Sequence, residues 1–591
     1  MQFTANRAKE PTDWNAINWR EQHRKVNNLR KRLFRATREG DHRKVRSLQK
    51  LLLRSRANTL LSVRRVTQNN AGKNTPGVDK VLVKTPKARG ELVDALMTLQ
   101  PWRVRPTRRV HIPKKNGKTR PLGIPTIQDR CLQARVKTAL EPEWEAKFEG
   151  SSYGFRPGRG CHDALLDIWL TVSKGRKVWV LDADIRGAFD HIDHEHLLNA
   201  IGAFPARELV KQWLKAGFEE DGLRQDTVMG TPQGGVISPL LANIALHGME
   251  DCLGVRYLQK KEGPTRHPQS VAVVRYADDF VVLADERSKV EDARKKLEAW
   301  LGIRGLSLSE EKTRIVHLRE GFDFLGFNIR QFPTSKRKKG LIVLTKPSKA
   351  AVKAIRGRLG EEWRKLAGTN AKTVVERINP IILGWANYFR VGASTTTFRA
   401  LDDYNTRRAI RWTKRTHPNK SKKWRLARYF GRFNSQHSGN RWVFGDWTTG
   451  KHVKKLAWTG IQRHRKVRGT ASPDDPTLAE YWKERRTREG KMLLSLSRLA
   501  HQQRYTCPVC GDALLNGEEL HRHHYITDRN DVERHKTQNL QLVHLMCHQQ
   551  VHAPGNKPAR AKRLLRMAKG LLEPDDGKLS RPVLRGEGDQ Q

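Results

Sequence analysis

Val274-Arg-Tyr-Ala-Asp-Asp-Phe-Val-Val282 consists of two short β-branched runs closed around a tight turn that carries Asp278 and Asp279. Such runs favour a hairpin, and adjacent acids at its tip suit a divalent cation. Paired aspartates also occur in solvated turns for conformational reasons alone, so the reading depends on the rest of the chain. Upstream, Lys177-Val-Trp-Val-Leu-Asp-Ala-Asp184 is an apolar run ending in an acid, followed by Ile185-Arg-Gly-Ala-Phe-Asp190. That pattern predicts a strand delivering Asp184 to the hairpin tip. Three carboxylates there fit a two-metal site, with ions about 3.5–4 Å apart activating an attacking hydroxyl and stabilising a leaving pyrophosphate.

Composition points the same way. The chain has 591 residues, with 114 Lys plus Arg against 61 Asp plus Glu, a formal charge of +53. The cations are spread along the whole chain, which favours a long polyanion such as RNA or DNA over a single acidic protein partner. Length and 37% hydrophobic content predict several domains with packed cores. Met1-Gln-Phe-Thr-Ala-Asn-Arg lacks a signal-peptide core, and no run approaches the roughly 18 apolar residues of a membrane helix, so a cytoplasmic protein with no membrane association is expected. Cys131, Cys161 and Cys252 stand singly and read as buried thiols, whereas Cys507, Cys510 and Cys547 fall together.

Residues 14–67 alternate basic runs with apolar residues at helical spacing, as at Val45, Leu48, Leu51 and Leu52, predicting a helical extension with one RNA-facing side. A loop rich in Gly and Pro follows at Ala71-Gly-Lys-Asn-Thr-Pro-Gly-Val-Asp79, then mixed strand and helix patterns to about residue 335. After Lys346-Pro347 the pattern becomes helical, and Ile378, Ile381, Ile382, Trp385 and Phe389 mark one buried face. From about 415 to 500, cationic clusters interleave Trp424, Trp442, Trp447 and Trp458, each open to two readings: core residue or stacking platform for unpaired bases. The end of the chain, from about 574, is polar and expected to be disordered.

A second constellation lies at 507–552. Cys507-Pro-Val-Cys510 and His544-Leu-Met-Cys547 are the two halves of a tetrahedral zinc site. Around them stand His521, His523, His524, Asn539, His548 and His552. Two readings are open for the segment: a nuclease, or a zinc module that binds DNA without cutting it.

Seven blocks in fixed order carry a resemblance. They are Arg120-Pro-Leu-Gly-Ile-Pro, Tyr153-Gly-Phe-Arg-Pro, Asp182-Ala-Asp-Ile-Arg-Gly-Ala-Phe-Asp-His, Gly230-Thr-Pro-Gln-Gly-Gly-Val-Ile-Ser-Pro, Tyr276-Ala-Asp-Asp, Glu311-Lys-Thr and Phe324-Leu-Gly-Phe. On these the chain resembles the group II intron reverse transcriptases, the intron-encoded maturases, and its end resembles a zinc-containing HNH endonuclease. The resemblance implies a multidomain α+β protein: an N-terminal helical extension (1–90), right-hand polymerase fingers and palm (91–335), a helical thumb or domain X (336–414), a basic DNA-binding region (415–500), a zinc-containing ββα-metal HNH module (501–560) and a tail (561–591). It implies Mg²⁺ on Asp184, Asp278 and Asp279, and Phe189 beneath the sugar of the incoming dNTP, where a ring excludes a 2′-hydroxyl; the alternative for Phe189 is a core residue. Arg120 and Lys114 would meet the triphosphate, Lys312 the pyrophosphate, and the Gly-bordered Gln233 turn would approach template or nucleotide. In the HNH module it implies His524 as general base, Asn539 orienting its loop, and His523 with His548 on a divalent ion that His552 completes, although His548 or His552 could serve zinc instead. The implied function is RNA-directed DNA synthesis primed from a nicked DNA target, with group II intron RNA as partner and splicing assistance as a second role. The alternatives are a maturase that binds RNA with a vestigial polymerase, and an RNA-dependent RNA polymerase, which Phe189 disfavours.

Overall fold

Four antiparallel strands hold the acids: Trp179–Asp184, Ala272–Tyr276, Asp279–Ala284 and Arg314–His317. Across the sheet the order is Arg314–His317, Trp179–Asp184, Asp279–Ala284, Ala272–Tyr276. This is a computed structural model describing residues 11–98, 102–113, 119–259, 265–335, 340–489, 494–516, 518–524 and 539–552. Side chains alternate across a strand, and both faces of this sheet are covered. Val180, Val274, Val281 and Leu283 belong to one core with Leu165 and Ile168 of the helix Cys161–Val172. Leu181, Val273, Phe280 and Val282 belong to the other with Val290 and Leu297 of the helix Arg287–Gly302. Double coverage explains why the central strands read as continuous apolar runs, each large side chain stabilising by roughly 1.5–3 kcal/mol on burial.

Strands Thr107–Pro113 and Thr119–Ile124 pair antiparallel, and the first also pairs parallel with Phe218–Glu220. Helices Trp19–Arg38, His42–Arg54 and Arg56–Arg64 begin at side-chain caps from Asn18, Asp41 and Ser55 and pack on the helix Ile127–Glu145. Val45, Leu48 and Leu52 are buried there as the spacing predicts, but Leu51 is half exposed, on the outer face. Beyond the four-stranded sheet, Phe322–Phe324, Phe327–Pro333 and Leu341–Pro347 form a second sheet that runs on past residue 335. Its first hairpin turns through Leu325 and Gly326 at φ +48° and +81°, the type I′ geometry that a Leu-Gly pair accommodates through its glycine. Helices Lys349–Lys365, Ala371–Phe389 and Thr395–Thr416 follow, tied by Trp363 Nε1 donating to Asn405 Oδ1 at 2.6 Å.

The basic stretch after residue 416 is stitched to the rest by buried acids. Asp402 accepts from the backbone of Leu456 and Ala457 at 2.8 and 2.9 Å. Asp163 accepts from Val467 N at 2.8 Å and from Arg485 Nη2 at 2.9 Å, and Asp474 accepts from Arg30 of the first helix at 2.6 and 2.8 Å. The stretch therefore packs at once against the helices Thr395–Thr416, Cys161–Val172 and Trp19–Arg38. Trp424, Trp442 and Trp447 keep much of their rings exposed, while Trp458 is half-buried and stacks on His437 at 4.9 Å. Of the single cysteines, Cys131 is buried but Cys161 and Cys252 are half-buried, because each lies near the surface of its helix. Among the described residues no helix is long and apolar enough to cross a membrane. Lys114 and the tail 561–591 lie outside the described residues.

Candidate functional site

Asp184 ends one central strand and is the register partner of Asp279, the first residue of the next. Asp279 thus belongs to the strand, and the turn itself is Ala277-Asp278, between the paired residues Tyr276 and Asp279. Only Ala277 of the two has positive φ, +60°, the pattern of a type II′ turn that usually places glycine there. A non-glycine residue in that region costs about 1–3 kcal/mol and persists only where surroundings enforce it. The enforcing group is Arg275, 1% exposed, whose Nη1 donates to Ala277 O at 3.2 Å and to Asn243 Oδ1 at 3.0 Å. Asn243 in turn donates to Gly154 O at 2.9 Å. Gly154 comes from the Tyr153-Gly-Phe-Arg-Pro block, which lies on the hairpin through Tyr153 N donating to Arg275 O at 2.9 Å.

The electrostatics are those of a cation site. Burial, a hydrogen bond with Asp184 and the charge of Asp278 push the Asp279 carboxyl up to about 7. Burial and the charge of Asp184 raise Asp278 as well. Neighbouring carboxylates that resist ionising together are the donor chemistry that Mg²⁺ fits. Lys312 Nζ donates to Asp184 Oδ2 at 2.5 Å, bringing a cation to the same edge. The three acids share that edge loosely: among the described residues, only the cysteine and histidine sets considered next bring three or more donors within 4.8 Å of one another.

Phe189 sits in the short helix Ala188–His191, 8% exposed, in the hydrophobic core, with the exposed Phe155 ring edge-on at 6.2 Å. Arg120 Nε donates to Gln233 Oε1 at 2.5 Å, and Gln233 Nε2 donates to both oxygens of Asp190 at 2.9 and 3.0 Å. This chain of three polar groups joins the strand Thr119–Ile124, the Gln233 turn and the helix Ala188–His191. A Cβ on Gly234 would lie 2.2 Å from Gly123 O, so its missing side chain lets the turn pack on the strand Thr119–Ile124. Asp190, Asn243 and Phe155 were not assigned roles from sequence, since only their tertiary partners reveal them; the left-handed φ of Phe155, +61°, has no sequence signal.

In the C-terminal module the strands Leu520–His524 and Leu540–His544 pair, and the helix Leu545–Val551 follows. Cys507, Cys510, His544 and Cys547 are all buried, with donor atoms within 4.8 Å of one another and Cys510 Sγ 3.3 Å from His544 Nδ1. Zinc at about 2.3 Å from each sulfur requires spacings near 3.8 Å, which this set approaches. His544 Nε2 donates to Ala513 O at 3.0 Å, leaving Nδ1 as the ligand atom.

His523, His548 and His552 form the second donor set, with His552 Nε2 3.3 Å from His523 Nδ1. Neither His548 nor His552 joins the zinc donors. Burial and neighbouring imidazoles pull His523 and His548 down to about 4, so both are neutral at pH 7 with lone pairs free for a metal. Among the described residues His523 Nε2 is buried and has no hydrogen-bond partner, the kind of orphaned atom a metal would satisfy. Strand alternation sends His524 to the face opposite His521 and His523. Asn539 is buried immediately before the second strand.

Known families match in this order along the chain: the N-terminal domain of reverse transcriptase at 14–96, the reverse transcriptase (RNA-dependent DNA polymerase) at 112–329, the group II intron maturase-specific domain at 352–430 and the HNH endonuclease at 507–553. Protein YkfC of Escherichia coli (strain K12) is 37% identical over 306 residues, 46% of this chain and 80% of YkfC. Group II intron-encoded protein LtrA of Lactococcus lactis subsp. cremoris is 33% identical over 38% of this chain and 47% of LtrA. An uncharacterized 91 kDa protein in the cob intron of Schizosaccharomyces pombe is 27% identical over 54% of this chain and 48% of its own length. The chain therefore spans most of YkfC but under half of the other two relatives. With palm acids, maturase helices and paired metal-donor sets in one polypeptide, the chain belongs to the group II intron-encoded reverse transcriptase/maturase family and carries an HNH endonuclease domain.

Proposed function

We propose that this protein copies RNA into DNA at the Asp184, Asp278 and Asp279 site and nicks DNA with its C-terminal module, acting in the cytoplasm on a group II intron RNA, whose splicing it assists, and its DNA target. The observation that carries the polymerase reading is the strained turn at Ala277, held by a buried arginine, which sets Asp278 beside Asp279, the register partner of Asp184. A protein that only binds RNA has no use for that strain. Mg²⁺, when bound by the three acids, would supply activation of the primer hydroxyl and neutralise the leaving pyrophosphate. The side chains do the rest. Phe189 and the edge-on Phe155 crowd the space beneath the sugar, which selects dNTPs. Arg120, positioned by Gln233 and Asp190, and Lys114 attract the triphosphate, and Lys312 stands where a proton can be given to pyrophosphate.

In the nuclease, zinc on Cys507, Cys510, His544 and Cys547 would hold the fold, and a divalent ion on His523, His548 and His552 would engage the scissile phosphate. His524, on the opposite strand face, takes the proton from the attacking water, with Asn539 orienting its loop. The basic surface and the exposed Trp424, Trp442 and Trp447 suit sequence-tolerant contact with nucleic acid. The two activities should separate in primer-extension and nicking assays: Asp278→Ala loses dNTP incorporation on an RNA template yet still binds RNA and nicks DNA, and His524→Ala does the reverse. Extension by Asp278→Ala at the parent rate refutes the palm assignment, and nicking by His524→Ala at the parent rate refutes the base.

A further inference from the structure

The zinc donors face a residue from the far end of the chain. Arg64 closes the helix Arg56–Arg64 and is 2% exposed. Its Nη2 donates to Cys547 Sγ at 3.2 Å and lies 3.4 Å from each oxygen of the buried Glu518. Its guanidinium also covers the Trp19 ring at 4.7 Å. Arginine keeps its charge when buried, so such a placement calls for a compensating anion. Three thiolates and a neutral imidazole around Zn²⁺ carry one net negative charge, and Cys547 presents it directly to Arg64.

Other contacts close the same seam. Asn69 Nδ2 donates to Glu518 Oε1 at 2.8 Å, and Gln550 Nε2 donates to the carbonyls of Asn15 and Ile17 at 3.0 and 2.6 Å. Gln68 Nε2 reaches the Met546 sulfur at 3.2 Å. Beneath these polar contacts, Val509 and Leu542 of the module share one apolar core with Trp19, Leu60 and Val63. The C-terminal module thus sits on the N-terminal helices over both polar and apolar surface, and the buried cation in the seam is aimed at Cys547 as well as at Glu518.

We propose that the zinc site doubles as the clasp between nuclease and polymerase: the zinc–thiolate cluster holds Arg64, a positioning residue, and zinc occupancy fixes the HNH module on the N-terminal helices. Zinc removal then frees the module from the polymerase as well as unfolding it locally. The inference rests on reading Cys507, Cys510, His544 and Cys547 as a zinc site. Seam docking in which Arg64 is only a packed side chain makes different predictions.

The test uses the full-length protein, measuring bound zinc, the rate of zinc release to a chromogenic chelator, and amide hydrogen exchange at residues 14–20 and 60–69. Parent and Arg64→Met should each bind one zinc, but Arg64→Met should release it about tenfold faster or more, the usual scale for losing an outer-shell partner. Chelation of the parent protein should speed exchange at 14–20 and 60–69, which supply no zinc ligand. Unchanged release from Arg64→Met, or chelation that loosens only the module, overturns the proposal. Glu518→Gln removes the other charge on Arg64 and should also speed release, so it replaces Arg64→Met if that variant does not fold. A parent protein that binds no zinc refutes the zinc reading itself, a result distinct from failure of the clasp.

Discussion

Gly154→Ala separates the position of the catalytic turn from its chemistry. Gly154 does not have the left-handed backbone that would exclude alanine, yet a Cβ there would lie 2.3 Å from Ala277 N, 2.9 Å from Tyr276 C and 3.0 Å from Ala277 Cα. Ordinary contact begins at 3.4 Å, so the hairpin tip and the 153–156 segment must part by about 1.1 Å. All three obstructing atoms are backbone, so no side chain can rotate away. Overpacking of this kind costs about 1–3 kcal/mol of stability, which a domain with two covered sheet faces tolerates. The catalytic cost is larger: a shift of about 1 Å at a reacting constellation is worth on the order of 10²-fold in rate. Steady-state primer extension should therefore show kcat down by about two orders of magnitude, with RNA affinity, zinc content and DNA nicking close to the parent. Gly302→Ala is the control, because its Cβ would meet nothing within 4 Å. A Gly154→Ala enzyme within about twofold of parent kcat would show that the close approach of the two backbones does not set the position of Asp278 and Asp279.

Two further outcomes follow from the same site. Phe189→Ala should raise ribonucleotide incorporation relative to dNTPs in competition assays, and an unchanged ratio makes Phe189 a core residue only. Because Asp279 is raised to about 7 in the metal-free protein, its proton must leave when a cation binds. Affinity for Mn²⁺, followed by calorimetry, should then strengthen as pH rises toward about 7 and level off above it, with proton release below that pH. The linked stability has the opposite sign: a raised acid favours the folded state while protonated, so metal-free stability falls as pH climbs from the ordinary carboxylate range to about 7. Asp279→Asn should flatten both profiles.

The chain's local chemistry was sufficient for several conclusions. An apolar run ending in an acid marked the strand of Asp184, because a strand covered on both faces must be continuously hydrophobic. The Cys-x-x-Cys and His-x-x-Cys halves marked a four-donor cluster that the fold brings together, because tetrahedral coordination restricts both ligand type and spacing, and ordered blocks carried the family. What sequence could not supply were relations between distant residues. Arg275, Asn243 and Gly154 enforce the positive φ of Ala277 from three separate segments. Gly234, beside Gln233, closes on Gly123 of a strand more than a hundred residues upstream. Arg64 reaches Cys547 across a sequence separation of 483. Local propensity and spacing act over a few residues, whereas a buried charge or a close backbone contact is defined by whichever partners the packed core brings to it. The chemistry of the candidate ligands is therefore legible along the chain, and their orientation is decided only when the sheet that carries Asp184 and Asp279, the N-terminal helices and the C-terminal module close around one another.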